Sequence, residues 1–178
     1  MRKPLAFAVV IGLVAWGDGP RAADPFAAFG TKPVATPQPA ADFRLPSLSG
    51  GEVSLADFRG RLVLLNFWAT WCEPCRREMP GLEHLARRYR DRGLTVLAIN
   101  EDDDGGARAA RFVARYALTY PVLLDRDSAV GRRYGVRALP MSYLIDAQGR
   151  MLPAIAGARE WDGPAAQALI EPHLPNGH

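Results

Sequence analysis

Leu62-Val63-Leu64-Leu65-Asn66-Phe67-Trp68 is a run of seven residues in which only Asn66 is polar. A strand with one face in water alternates apolar and polar side chains. A run without alternation must be covered on both faces, which puts it in the middle of a sheet with a layer packed on either side. Leu94–Asn100 makes the same demand, and Val122–Leu124 is a shorter case. Between these runs the apolar period changes to that of a helix. Met79, Leu82, Leu85, Ala86 and Tyr89 fall on one face of a helix that contains Pro80, where a kink is expected, and that ends near Gly93. Ala109, Phe112, Val113, Tyr116 and Ala117 form a second face, Ser128–Tyr134 reads as a short helix, and a last helix near Trp161 carries Trp161, Ala165, Ala168 and Leu169 inward. Ala41–Leu45 and Glu52–Ser54 read as a hairpin across Ser49-Gly50-Gly51, and Met141–Asp146 with Met151–Ile155 as an antiparallel pair. Strands alternating with helices imply an α/β layered fold.

The N-terminal part follows other rules. Arg2 and Lys3 precede the apolar run Leu5–Trp16, which is shorter than the roughly 20 residues of a membrane span and suits the hydrophobic region of a secretory signal. Residues 1–23 are therefore read as a signal peptide, or as an N-terminal anchor if residues 5–17 are retained in the inner membrane. Residues 24–41, rich in proline and alanine, read as an extended semi-rigid linker, residues 42–174 as one domain and residues 175–178 as a tail. The full chain carries a formal charge of +3. Removing residues 1–23 takes away three basic and one acidic residue, leaving 19 basic against 18 acidic, a net of +1. That balance speaks against nucleic acid as a partner.

Cys72 and Cys75 are the only cysteines, which excludes a disulfide-dense scaffold and a four-cysteine zinc site. Trp71-Cys72-Glu73-Pro74-Cys75 joins the end of a buried strand to the start of a helix. Cys72 is expected at the helix N-terminus, where unpaired N–H groups favour its thiolate, the attacking species in disulfide exchange. Cys75 lies one turn along as the shielded, resolving sulfur. Pro74 suits the first turn. Glu73, a carboxylate beside a thiolate, is expected to favour the disulfide over the dithiol and so make the pair a better reductant than one with a basic residue there. Other readings of a lone CxxC remain: half of a metal site, or an inert disulfide. His84, His173 and His178 lack a paired metal-ligand spacing, Arg76 stands where haem attachment needs histidine, and Ala69 stands where a peroxiredoxin has Thr or Ser.

Asn66-Phe67-Trp68-Ala69-Thr70-Trp71-Cys72-Glu73-Pro74-Cys75, with Gly135-Val136-Arg137-Ala138-Leu139-Pro140 and Tyr143-Leu144-Ile145-Asp146, resembles the thioredoxin superfamily. The similarity is to its exported TlpA-like branch, which includes proteins of the ResA and CcmG/DsbE types, and it covers about Asp42 to Leu174. It implies a thioredoxin-like three-layer fold with a mixed central sheet, an N-terminal β-hairpin and a helix-strand insertion over Gly105–Asp127. It also implies that Pro140 is a cis-proline opposite the cysteines, so that Leu139 can pair with an extended substrate segment. Thioredoxins carry a buried Asp where Asn66 stands. Glu78 matches an acidic residue of the branch and is expected to tune thiol ionisation or relay protons to Cys75. Met141 replaces the family's usual Thr or Ser after the cis-proline and is expected to reshape the groove beside the disulfide, with Trp71 lining the substrate face.

The resemblance implies an exported protein thiol-disulfide oxidoreductase that uses no cofactor beyond the Cys72–Cys75 disulfide and no metal. The implied substrates are exported proteins, apocytochrome c among them, and the implied electron donor is a membrane thiol carrier of the CcdA or DsbD kind. Two alternatives stay open at this point: an oxidant or isomerase using the same residues, and a metallochaperone holding Cu(I) between the two cysteines.

Overall fold

The computed structural model describes residues 25–31 and 36–175. The elements run α1 (Pro25–Ala28), β1 (Arg44–Pro46), β2 (Glu52–Ser54), β3 (Leu62–Trp68), α2 (Glu73–Tyr89), β4 (Leu94–Asn100), α3 (Ala107–Tyr116), β5 (Val122–Leu124), α4 (Ala129–Arg133), β6 (Met141–Ile145), β7 (Met151–Ala156) and α5 (Pro164–Ile170). Strands β1 and β2 form the expected hairpin. The main sheet has the order β5-β4-β3-β6-β7, with β3, β4 and β5 parallel and β6 and β7 antiparallel to their neighbours. This is a mixed thioredoxin-like sheet, and β3 occupies its centre. All seven β3 side chains are buried, as a run without alternation requires.

Side chains of β3 divide between two cores. Leu62, Leu64 and Trp68 face α2, α3 and α5, together with Met79, Leu82, Phe112 and Leu169. Val63, Leu65 and Phe67 face the opposite way, onto Leu97, Ile99, Tyr134, Tyr143 and the hairpin residues Phe43 and Leu45. Helix α2 buries the face expected of it and runs without a break through Pro80. It ends through Arg90–Arg92 at Gly93, whose φ of 93° lies in the left-handed region open to glycine.

Two expectations need correction. Tyr116 is exposed, and Ala117 at φ 50° closes α3, so the chain turns away before that face can continue. The last helix begins at Pro164, after the buried Trp161, so Ala166, Leu169 and Ile170 point inward while Ala168 is exposed. Residues 25–31 and 36–41, the described parts of the segment read as an extended semi-rigid linker, make contacts with the domain. Phe29 is buried with its ring 5.2 Å from that of Trp161, and its carbonyl accepts from Arg159 Nε at 3.1 Å. Gln38 O and Ala40 N bond to Met151 N and Gly149 O at 2.7 and 2.9 Å, extending the sheet edge. Two phenylalanines among the prolines and alanines provide the apolar anchor. The proposed signal, residues 1–23, lies outside the described residues, as do residues 176–178 of the tail. Among the described residues no helix is long and apolar enough to cross a membrane.

Candidate active site

Strand β3 ends at Trp68, and the chain turns through Ala69–Trp71 into α2. Cys72 is the N-cap of that helix, and its Sγ accepts the Cys75 backbone N–H at 3.3 Å. The two sulfurs form a disulfide across Cα atoms 5.3 Å apart. Cys75 is wholly buried, and Cys72 is only slightly less so at 5% exposure, so the difference in access is smaller than the sequence suggests. Pro74 occupies the first turn of α2, where no intrahelical N–H is needed. Trp71 projects into solvent at 65% exposure, whereas Trp68 is fully buried in the core that contains both cysteines.

Glu78 lies one turn beyond Cys75 and is buried. Its Oε1 accepts from Asn66 Nδ2 at 2.8 Å, and its Oε2 accepts from Trp161 Nε1 at 3.0 Å and from Arg159 N at 3.1 Å. Burial raises its carboxyl above the usual glutamate range, while the bonds from Trp161, Asn66 and Arg159 partly oppose that rise. A buried carboxyl shifted in this direction can exchange a proton nearer neutrality than a solvated one. Asn66 Nδ2 also donates to Ser142 Oγ at 2.9 Å, tying β3, α2 and β6 together below the disulfide.

The Leu139–Pro140 peptide is cis, as the resemblance implies. Met141 pairs with Phe67 in the β6–β3 register, so Pro140 stands at the end of the sheet from which the cysteine loop departs. Leu139 and Met141 are partly buried and pack on the core around Phe67 and Tyr143. Met141 therefore contributes at least part of its side chain to the core on the side of the sheet away from α2.

Glu73, between the two cysteines, has basic neighbours. It is exposed and forms ion pairs with Arg76 and, at 3.6 Å, with Arg77. Two guanidinium groups one turn on offset the negative charge that was expected to oppose the thiolate.

A family model described as the AhpC/TSA family matches residues 36–152. The chain belongs to the AhpC/TSA family. It is 42% identical over 124 residues to the thiol-disulfide oxidoreductase ResA of Geobacillus thermodenitrificans, covering 70% of this chain and 71% of that one. Among solved structures it resembles a thiol:disulfide interchange protein DsbE of Chlorobium tepidum (35% identity, TM-score 0.73, 79% of this chain and 99% of that one). It also resembles a secreted Mycobacterium tuberculosis disulfide oxidoreductase homologous to Escherichia coli DsbE (27% identity, TM-score 0.63, 71% and 94%). As a family member with this disulfide in a thioredoxin-like fold, the protein is a thiol-disulfide oxidoreductase of the ResA/DsbE type.

Several residues of the site carry no local signal in the sequence. Asp102, buried just after β4, accepts from Thr70 N at 3.2 Å, Thr70 Oγ1 at 3.0 Å and Asn100 Nδ2 at 2.9 Å. It thus holds the turn that delivers Cys72. Ser142, Arg159 and Trp161 reach Glu78 or Asn66 only because β6 and the segment before α5 fold back over α2. Trp161 is 83 positions from the carboxylate it binds, and no local pattern could pair them. Among the described residues no group of three or more His, Cys, Asp or Glu side chains could hold a metal ion.

Proposed function

We propose that this protein is an exported reductant of disulfides in other exported proteins. The observation that carries the reading is the Cys72 sulfur capping α2 beside a wholly buried Cys75. In the reduced protein the Cys72 thiolate, favoured by the helix N-terminus, attacks a substrate disulfide. A bond forms between Cys72 and one substrate sulfur, and the other substrate sulfur leaves as a thiolate. Cys75, after losing its proton, attacks Cys72 Sγ, which closes the Cys72–Cys75 disulfide and releases the second substrate thiolate. Two electrons pass to the substrate. Glu78, on the same helix face as Cys75, is the group we assign to receive the Cys75 proton. Leu139, Pro140 and Met141 with the exposed Trp71 form the rim against which an extended substrate segment lies.

Export is supported by Arg2 and Lys3 ahead of the apolar Leu5–Trp16, and by the secreted location named for the mycobacterial relative. An exported domain cannot reach cytoplasmic reductants, so a membrane thiol carrier of the CcdA or DsbD kind is the electron source that fits. Apocytochrome c, which presents a paired thiol, is the substrate class we favour. One observation favours the oxidant reading instead: Arg76 and Arg77 neutralise Glu73, and positive charge near Cys72 stabilises its thiolate.

The reduction potential of the Cys72–Cys75 pair separates the two directions. Trp68 shares a core with both sulfurs, so its fluorescence in thiol–disulfide buffers reports the change. A value near the roughly −270 mV of thioredoxin is expected, and a value towards about −120 mV would overturn the proposed direction.

A further inference from the structure

Arg108, Arg111 and Arg115 recur along α3 at spacings of three and four, with Phe112 and Tyr116 beside them. The near-neutral charge of the domain conceals this face, and the fold gives it a location. Thr70, two residues before Cys72, and Arg76, next after Cys75, line one groove with Arg111, Phe112, Arg115 and Tyr116, about 340 Å³ in volume.

The charges in that groove are not all balanced. Arg76 is paired with Glu73, and Arg108 with Asp103 at 2.7 Å and Asp104 at 3.1 Å. Arg111 and Arg115 have no carboxylate partner among the described residues. The Arg115 guanidinium lies 5.7 Å from the centre of the Tyr116 ring, which packs 4.4 Å from Phe112. Tyr116 and Trp71 are the two large hydrophobic side chains left exposed among the described residues. One borders the groove and the other adjoins Cys72. Exposed rings beside unpaired guanidinium groups make a surface that binds carboxylates and apolar side chains together.

We propose that this groove holds an acidic segment of the substrate protein. Carboxylates of that segment pair with Arg111 and Arg115 while the neighbouring substrate disulfide meets Cys72. The inference deepens the proposed reductase reading and rests on it for the identity of the partner as a protein. A nucleic acid fits less well, because Glu73, Asp103 and Asp104 already engage Arg76 and Arg108, and the two remaining guanidinium groups are too few to follow a continuous phosphate backbone.

The test uses the full chain and two labelled, cysteine-free peptides, one rich in Asp and Glu and the other with Ser in their place. Fluorescence anisotropy at low ionic strength is expected to show the acidic peptide binding about tenfold more tightly, the order that two exposed charge pairs supply, with most of the preference lost at high salt. Arg111→Glu combined with Arg115→Glu should abolish the preference, and the corresponding double Lys substitution should keep most of it. Equal binding of the two peptides, or a preference that survives the double charge reversal, would overturn the proposal. So would tighter binding of a single-stranded oligonucleotide than of the acidic peptide. Reduction of a disulfide-containing serine peptide by the dithiol form is measured in parallel. If that reduction fails while acidic-peptide binding persists, the reductase reading falls and the groove stands. If reduction succeeds without acidic preference, the groove falls alone.

Discussion

Replacing Glu78 by Gln removes the charge at the centre of the site while leaving its shape. The structure offers a way to accommodate the new amide. Among the described residues Asn66 Oδ1 is buried without a hydrogen-bond partner, while Asn66 Nδ2 donates to both Glu78 and Ser142. If Asn66 turns its amide over, its Oδ1 accepts from the NH₂ of the introduced glutamine and from the Ser142 hydroxyl, the glutamine carbonyl keeps the Trp161 and Arg159 donors, and the unmet group at the other end of the Asn66 amide changes from an acceptor to a donor. Glu78→Gln is therefore expected to change stability by about 1 kcal/mol or less at neutral pH. Glu78→Ala strands the buried Trp161 Nε1 donor and the part-buried Arg159 N–H, leaves Asn66 Nδ2 with Ser142 alone, and should cost about 3 kcal/mol. The pH dependence carries the sharper test. Burial holds the folded carboxyl above the ordinary glutamate range. As pH rises through that range, the unfolded chain gives up the proton first and the folded protein keeps it. Wild-type stability must then fall with rising pH, by at most about 1.4 kcal/mol per unit, until the folded group also ionises. Urea unfolding of the oxidised wild type and Glu78→Gln, compared at each pH so that the contributions of all other groups cancel, isolates this slope. A difference that is flat from the ordinary glutamate range to neutrality would refute the reasoning, because a solvated carboxylate produces no such slope.

Phe29→Ala should destabilise the protein by about 2–3 kcal/mol, since it removes a buried ring that packs on Trp161. A loss below about 0.5 kcal/mol in urea would return residues 25–31 to the status of a tether. Asp102→Ala leaves Thr70 and Asn100 donors without their acceptor and should cost about 2–3 kcal/mol, with slower disulfide exchange as the Cys72 turn loosens. Unchanged stability together with an unchanged exchange rate would remove the positioning role assigned to it.

The strands were the most legible part of the chain. The bounds read for β3, β4 and β5 coincide with the observed ones, because a strand covered on both faces writes its burial into every position. The redox motif was equally plain, since its spacing and its place at a strand–helix junction are local facts. Helix faces were less secure. Tyr116 fits the apolar period of α3, yet it ends exposed because α3 closes there through Ala117, and Ala168 faces outward because α5 begins three residues after Trp161. In the proline- and alanine-rich segment, composition gives no hint of the packing that Phe26 and Phe29 make on the core.

Sequence by itself determined what is local about this protein: which runs must be buried, that two thiols stand one helical turn apart at a helix start, and, through resemblance, that Pro140 is cis. Tertiary structure decided what those groups meet. Glu78 could be read as an acid near Cys75, but its burial and its bonds to Asn66, Arg159 and Trp161 depend on segments as far as 83 residues away. Arg111 and Arg115 could be read as charges on one helix, but only the packing of α3 beside the cysteine turn makes them part of a groove next to the disulfide. Periodicity encodes which side of an element is apolar. It carries no record of which distant element will cover that side, and that choice sets the dielectric and the hydrogen-bond partners on which the chemistry depends.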